Sequence, residues 1–173
     1  IDLPKVASEI ETEFNRLLEA DRNGKFKRIN DKYYEYAASG NYSASRMKIF
    51  ISELVDLHQI NDGDKYATEM ELFAKASRNI GSVITTNYDR FIETLIGFNP
   101  IIGNDILLSN PYGSVYKIHG CVSHPESIVI SDSDYERFKI NNHLIRAQLI
   151  SLFIHNPIVF IGYSISDENI RDI

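Results

Sequence analysis

The sequence predicts an α/β fold in which a helical first half precedes an open parallel sheet. Three observations carry that expectation. Up to about residue 80, apolar residues recur at helical spacing. From residue 82 onward, short continuous apolar runs alternate with amphipathic segments, the pattern of strands buried on both faces. Polar residues gather where those runs end, in "TTN", "HG" and "GYS". Open α/β sheets bind ligands at the carboxyl ends of their strands.

Taken in order, residues 5–19 place Val6, Ile10, Phe14, Leu17 and Leu18 on one helical face, with Pro4 where a first turn tolerates it. Asp21 to Gly24 reads as a loop, and the basic cluster Lys25-Phe26-Lys27-Arg28 as its solvated continuation. Residues 30–38 form a short helix. Residues 43–59 form a longer one, carrying Met47, Phe50, Ile51, Leu54 and Val55, with Ser43 or Ser45 as its cap. "NDGD" at 61–64 interrupts, and Asp64 caps a third helix running to about Ser77. Then "SVITT", "SVYKIHG", "SIVIS" and "PIVFIGYS" read as strands, separated by the helical "YDRFIETLI", "DSDYERF" and "HLIRAQLISLFIH".

Composition removes several classes of function. The chain has 173 residues, 43% of them hydrophobic, enough for one domain with a real core. A net charge of −6 argues against a domain that holds nucleic acid by its overall field. The single cysteine, Cys121, excludes a disulfide framework within the chain and a cysteine-rich zinc module, and it fits a cytoplasmic setting. No apolar run approaches the ~18 residues that span a bilayer, so no membrane partner is expected. The chain opens on Ile1 and closes on Ile173 in what reads as a first helical turn, so both ends are expected to be cut.

Each polar tip has a plain reading beside a functional one. In "TTNYD", Thr85, Thr86 and Asn87 offer hydroxyl and amide groups. Asn87 or Thr86 could cap the next helix, with Asp89 in its first turn. Capping explains one polar residue better than four. In "KIHG", His119 ends an apolar run and Gly120 lets the backbone turn or a ligand approach; a satisfied structural histidine is the alternative. His58, His124, His143 and His155 have no strand-end placement. In "FIGYS", Gly162 ends an apolar run and Ser164 precedes an acid-rich helix start, where backbone N–H groups could meet a phosphate and Asp167 or Glu168 a ribose. The alternative is an ordinary strand-to-helix turn. There is no GxGxxG, P-loop, HExxH or G-x-S-x-G pattern, and "SDSD" at 131–134 reads as a helix cap rather than a cation site.

The ordered set "TTNYD", "KIHG" and "VFIGYSISDENI" resembles the sirtuin-like NAD-hydrolysing family of bacterial anti-phage defence proteins. The likeness extends over about residues 64–173 and is clearest over 82–173. The opening "LPKVASEI" is similar to the family's first helix. The resemblance implies a Rossmann-like NAD-binding domain, incomplete at its N-terminus: residues 1–19 as its first helix, 20–80 as a helical insertion, and 81–173 as the remainder. It implies NAD+ as substrate, with no metal. Asn87 would hold the nicotinamide ribose and help place the attacking water, and His119 would act on a ribose hydroxyl or on that water. Thr85, Thr86 and Asp89 would line the nicotinamide side. Gly162 and Ser164 would contact the adenosine half or its phosphates.

The residue types suit that chemistry. Cleaving the nicotinamide–ribose bond passes through an oxocarbenium-like state, and the ring leaves neutral, so a positioned water, a base and a rigid grip on the ribose suffice. Two departures from the family pattern stand out. All nine glycines are isolated, so the glycine-rich pyrophosphate loop is expected before Ile1, and the chain alone is expected to be an inactive, truncated site. The four cysteines of protein-deacylating sirtuins are missing, which favours NAD+ hydrolysis over deacylation. A non-hydrolysing module for an NAD-derived nucleotide is the other alternative. The resemblance further implies a homo-oligomeric effector of abortive infection, silenced until a phage-derived trigger or associated defence protein acts through regions outside this chain.

Overall fold

The structure is a computed structural model that describes residues 2–57, 65–103, 105, 112–141 and 143–162. Its first helix, α1 (Leu3–Ala20), is capped by Asp2, whose carboxylate accepts from the Lys5 N–H at 3.3 Å. Helix α2 (Lys27–Ala38) starts three residues ahead of the expected boundary. Lys27 and Arg28 therefore sit in its first turn rather than in a loop, paired with Asp31 and Glu53. Between them and α1, Phe26 packs inward against Phe14 and Phe50. Helix α3 (Arg46–Leu57) begins after Ser45, whose hydroxyl accepts from the Lys48 N–H at 3.3 Å, so Ser45 rather than Ser43 is the cap. Helix α4 (Ala67–Ala76) continues into a short 3₁₀ turn, Ser77–Asn79. The expected cap Asp64 lies outside the described residues.

Helices α1–α3 share one core of Leu18, Ile29, Ala44 and Ile49, with Phe14, Phe26, Tyr33, Tyr36 and Phe50 around it. A buried polar network closes it. Asn30 donates to the carbonyls of Leu18 and Arg22 at 2.8 and 3.1 Å and accepts from Arg46 at 2.7 Å. The Arg46 guanidinium also lies over the Tyr33 ring, 3.9 Å from its centroid. Every strong donor here has a partner, which is why a buried arginine is tolerated.

The sheet has three parallel strands in the order β1-β3-β2: β1 (Ser82–Thr85), β2 (Asn99–Ile102) and β3 (Ser114–Lys117). Helix α5 (Phe91–Ile96) follows β1 and ends at Gly97, which is left-handed at φ 71°. Register aligns Thr85, Lys117 and Ile102, so the three carboxyl ends form one edge. Tyr116 at the centre of β3 is fully buried, in a second core with Ile101, Ile118, Val129, Phe138, Ile145 and Leu149. The last two come from α7 (His143–His155), and Phe138 from α6 (Asp132–Asn141).

Three segments differ from expectation. Asn99–Ile102, with a proline inside, joins the sheet at its edge, where the missing N–H costs no ladder bond. Among the described residues, the apolar run 157–161 has no strand pairing and is exposed, and "SIVIS" forms the end of a 3₁₀ turn plus an unladdered segment. Apolar continuity shows that a run favours burial; it does not identify the neighbour that buries it. The parallel α/β class holds, on a partly different set of strands.

Helix α3 also reaches the sheet layer. Lys48 donates to Asp134 at 2.6 Å, both buried. Asp134 further accepts from the Ser131 and Ile130 N–H groups, the Ser131 hydroxyl and Arg137. This makes "SDSD" the start of a helix, as its sequence suggests. Burial pushes the Asp134 carboxyl up, but the Lys48 charge, its hydrogen bond and the two backbone donors outweigh that and hold it below the usual carboxylate range. A lowered folded-state pKa gives stability that is present above the unfolded value of about 3.9 and lost as pH falls through the folded value. Urea unfolding of Asp134→Asn should therefore show a deficit against the parent at pH 7 that narrows steadily below about pH 4. A pH-independent deficit would refute the charge-based account.

Candidate functional site

The aligned carboxyl edge opens into a cleft of about 480 Å³, lined by Thr86, Asn87, Tyr88, Asp89, His119, Tyr135 and Val55. That size lies in the range of small-molecule sites. Four of the seven candidate residues line it: Thr86, Asn87, Asp89 and His119. Thr85 lies at the end of β1, where its hydroxyl accepts from the Asn87 N–H at 3.1 Å and so shapes the turn. Gly162 sits in the exposed segment, away from the cleft lining, with nothing within 4 Å of where a Cβ would stand. Ser164 lies outside the described residues.

The turn after β1 settles the question of capping. Asp89, not Asn87 or Thr86, accepts from the start of α5, taking the Phe91 N–H at 2.9 Å. The side-chain amide of Asn87 is exposed and has no hydrogen-bond partner among the described residues. A polar side chain released from structural duty at a cleft mouth is available to a ligand. Tyr88 anchors the turn on both sides: its hydroxyl donates to the Val129 carbonyl at 2.8 Å, and its carbonyl accepts from the Val122 N–H at 2.9 Å.

On the facing wall His119 is buried, 4% exposed. Its ring stands edge-on to Tyr135 and Phe138, at 5.5 and 6.0 Å between centroids. Its own carbonyl accepts from the Val129 N–H at 3.0 Å. Gly120 makes the turn that follows, at φ +91°, pressed against the backbone of Ser127.

At the end of β3, the Lys117 side chain is 1% exposed. It donates to Glu93 at 3.0 Å and to the Asp89 carbonyl. The second oxygen of Glu93 is buried and has no partner among the described residues.

Sequence reasoning missed Val55, Tyr88, Tyr135 and the Lys117–Glu93 pair. The pair did leave a signal, because a lysine inside "SVYKIHG" interrupts a strand that is otherwise apolar. Tyr135 and Phe138, three apart on α6, face His119 together, which no local pattern reveals. A second cleft, about 430 Å³ between α2, α3 and residues 122–125, holds none of the candidates. No group of histidine, cysteine and carboxylate side chains with metal-binding geometry occurs among the described residues. Nor do they include a helix long and apolar enough to cross a membrane.

Comparison with known proteins adds a family. Residues 81–173, more than half of the chain, match the family described as the SIR2-like domain. Among curated proteins, the chain is similar to the NAD(+) hydrolase ThsA of Cytobacillus dafuensis, 34% identical over 120 residues, covering 62% of this chain and 24% of that protein. It is similar to the defense-associated sirtuin 2 of Bacillus subtilis, 29% identical over 170 residues, covering 83% of this chain and 16% of that protein. The ThsA of Enterococcus faecium is 30% identical over 123 residues, covering 64% of this chain and 26% of that one. The chain thus spans about a quarter or less of the length of these relatives. No solved structure gives a significant match.

Proposed function

The chain belongs to the SIR2-like domain family, and from that premise we propose that it is the NAD+-hydrolysing effector domain of a larger anti-phage defence protein. One observation carries the reading: the unpartnered Asn87 amide and the His119 ring line the same cleft at the carboxyl edge of the sheet. The names of the relatives, two NAD+ hydrolases and a defence-associated sirtuin, point the same way.

In this reading Asn87 grips the nicotinamide ribose and aligns a water. Thr85, Thr86 and Asp89 form the nicotinamide side, where the Asp89 carboxylate favours the cationic ring. The C–N glycosidic bond breaks with its electron pair going to the ring nitrogen, which neutralises the pyridinium. The water oxygen bonds the anomeric carbon, and His119 takes its proton directly or through a ribose hydroxyl. The products are nicotinamide and ADP-ribose, with no metal involved. Gly162 and Ser164 are assigned to the adenosine half or its phosphates. Residues 20–80 form the helical insertion, between residues 1–19 and 81–173 of the NAD-binding domain. Assembly as a homo-oligomer in the cytoplasm, and release by a phage-derived trigger or associated defence protein, belong to the same proposal.

A second reading has one observation in its favour. His119 is packed edge-on between two rings, which also suits a module that binds an NAD-derived nucleotide without cleaving it. The two separate in one assay. The full-length protein, in its activated form, is incubated with NAD+, and nicotinamide and ADP-ribose are quantified. Equimolar appearance of both is expected. NAD+ that binds and stays intact would establish the second reading instead.

A further inference from the structure

We propose that Lys117 is a positioning residue for this site, acting through the Asp89 carbonyl. The inference rests on the reading above for its kinetic part and on geometry alone for its structural part. A lysine at the end of a central parallel strand is an expensive choice, since its ammonium must leave water. One carboxylate would satisfy the charge, and Glu93 provides it at 3.0 Å. Yet the ammonium also donates to the main-chain carbonyl of Asp89. That carbonyl belongs to the turn whose side chains face the ligand: Thr86, Asn87 and Asp89 all line the cleft.

Apart from this bond, the segment from Thr86 to Arg90 is held by short-range contacts, by Tyr88 and by one exposed ion pair to α3. Asn87 N–H bonds Thr85, Phe91 N–H bonds Asp89, and Arg90 reaches Asp56 at an exposed pair. The lysine therefore ties the cleft-facing turn to β3, the strand that carries His119 just beyond its end. Both walls are set by one rigid element. An error of about 1 Å between such groups costs about 100-fold in rate.

Removing the lysine alone would strand Glu93, so the test replaces both partners with similar volumes, Lys117→Met with Glu93→Met, in the full-length protein. A buried pair exchanged for apolar residues is commonly neutral for stability. The expected result is a thermal midpoint near the parent's, with kcat for nicotinamide release about 100-fold lower and KM for NAD+ within about 3-fold. Glu93→Gln, which leaves the amine-to-carbonyl bond in place, should keep kcat within about 10-fold of the parent. Hydrogen exchange reads the same claim without any activity. In the double variant, the Asn87 and Phe91 amides should exchange at least about 10-fold faster, while those of Val115 and Tyr116 stay slow. If those amides keep their protection, or if the double variant keeps its kcat, the positioning role is wrong. If the parent itself releases no nicotinamide, the hydrolase reading fails, and the exchange result alone decides the role of Lys117.

Discussion

If the proposed hydrolase reading holds, nicotinamide release is expected to fall by about 10²- to 10⁴-fold in His119→Ala, the range for loss of a positioned general base, while NAD+ binding persists. The expectation follows from placement. Among the described residues, His119 is the only histidine lining the cleft; it lies just past the carboxyl end of β3 and shares the cleft with Thr86 and Asn87, whose side chains are not consumed by helix capping. Asn87→Ala should lower release by at least about 10²-fold, and it separates function from folding more cleanly. Its amide has no partner among the described residues, so its loss should shift stability by no more than about 0.5 kcal/mol. His119 is buried, so its variant needs a melting curve beside the assay. Nicotinamide release that survives both substitutions would remove these residues from the chemistry.

Among the described glycines of the chain's second half, Gly120 should be the one where replacement by alanine costs most stability. A Cβ at Gly120 would meet the Ser127 carbonyl oxygen at 2.3 Å and its carbon at 2.5 Å, and the residue sits at φ +91°. Both the backbone strain and the overpacking are real costs, each about 1–3 kcal/mol, so a loss of roughly 3–5 kcal/mol is expected. Gly40→Ala isolates the first term. Gly40 has φ +82° with nothing within 4 Å, and its loss should be about 1 kcal/mol. Urea midpoints of the two variants measure the difference, and equal losses would show that the contact with Ser127 relaxes at little cost. The Gly120 turn directly follows His119, so the substitution should also reduce activity at temperatures where the protein remains folded.

The sequence was most legible where a local rule and the tertiary structure agree. The α1 and α3 patterns gave helices, and Phe14 and Leu18 of α1 meet Ile49 and Phe50 of α3 in one core with Ile29, while Val6, Ile10 and Leu17 of the expected α1 face are exposed. "SVITT" and "SVYK" became adjacent parallel strands because both are apolar on two faces. Of the candidate site, the cluster Thr86, Asn87, Asp89 and His119 was visible as polar residues at strand ends. Legibility failed where the answer depended on a distant partner. "PIVFI" has the composition of a central strand, but nothing in five residues names its neighbour. Asn99–Ile102 has a poor strand composition and pairs all the same, because an edge position forgives its proline. Lys117, Val55 and Tyr135 matter through residues tens of positions away, and no spacing rule connects them.

Helix α3 touches both sides of the cleft. Val55 lines it, Asp56 pairs with Arg90 beside the β1 turn at 2.5 Å, and Lys48 holds Asp134 next to Tyr135. A ligand that draws the two walls together must then favour one docked pose of α3 over others. By thermodynamic linkage the relation runs both ways, and with equal magnitude. A protein surface that grips the outer face of the helical region can tune affinity in the cleft without entering it, and an occupied cleft will advertise itself on that outer face.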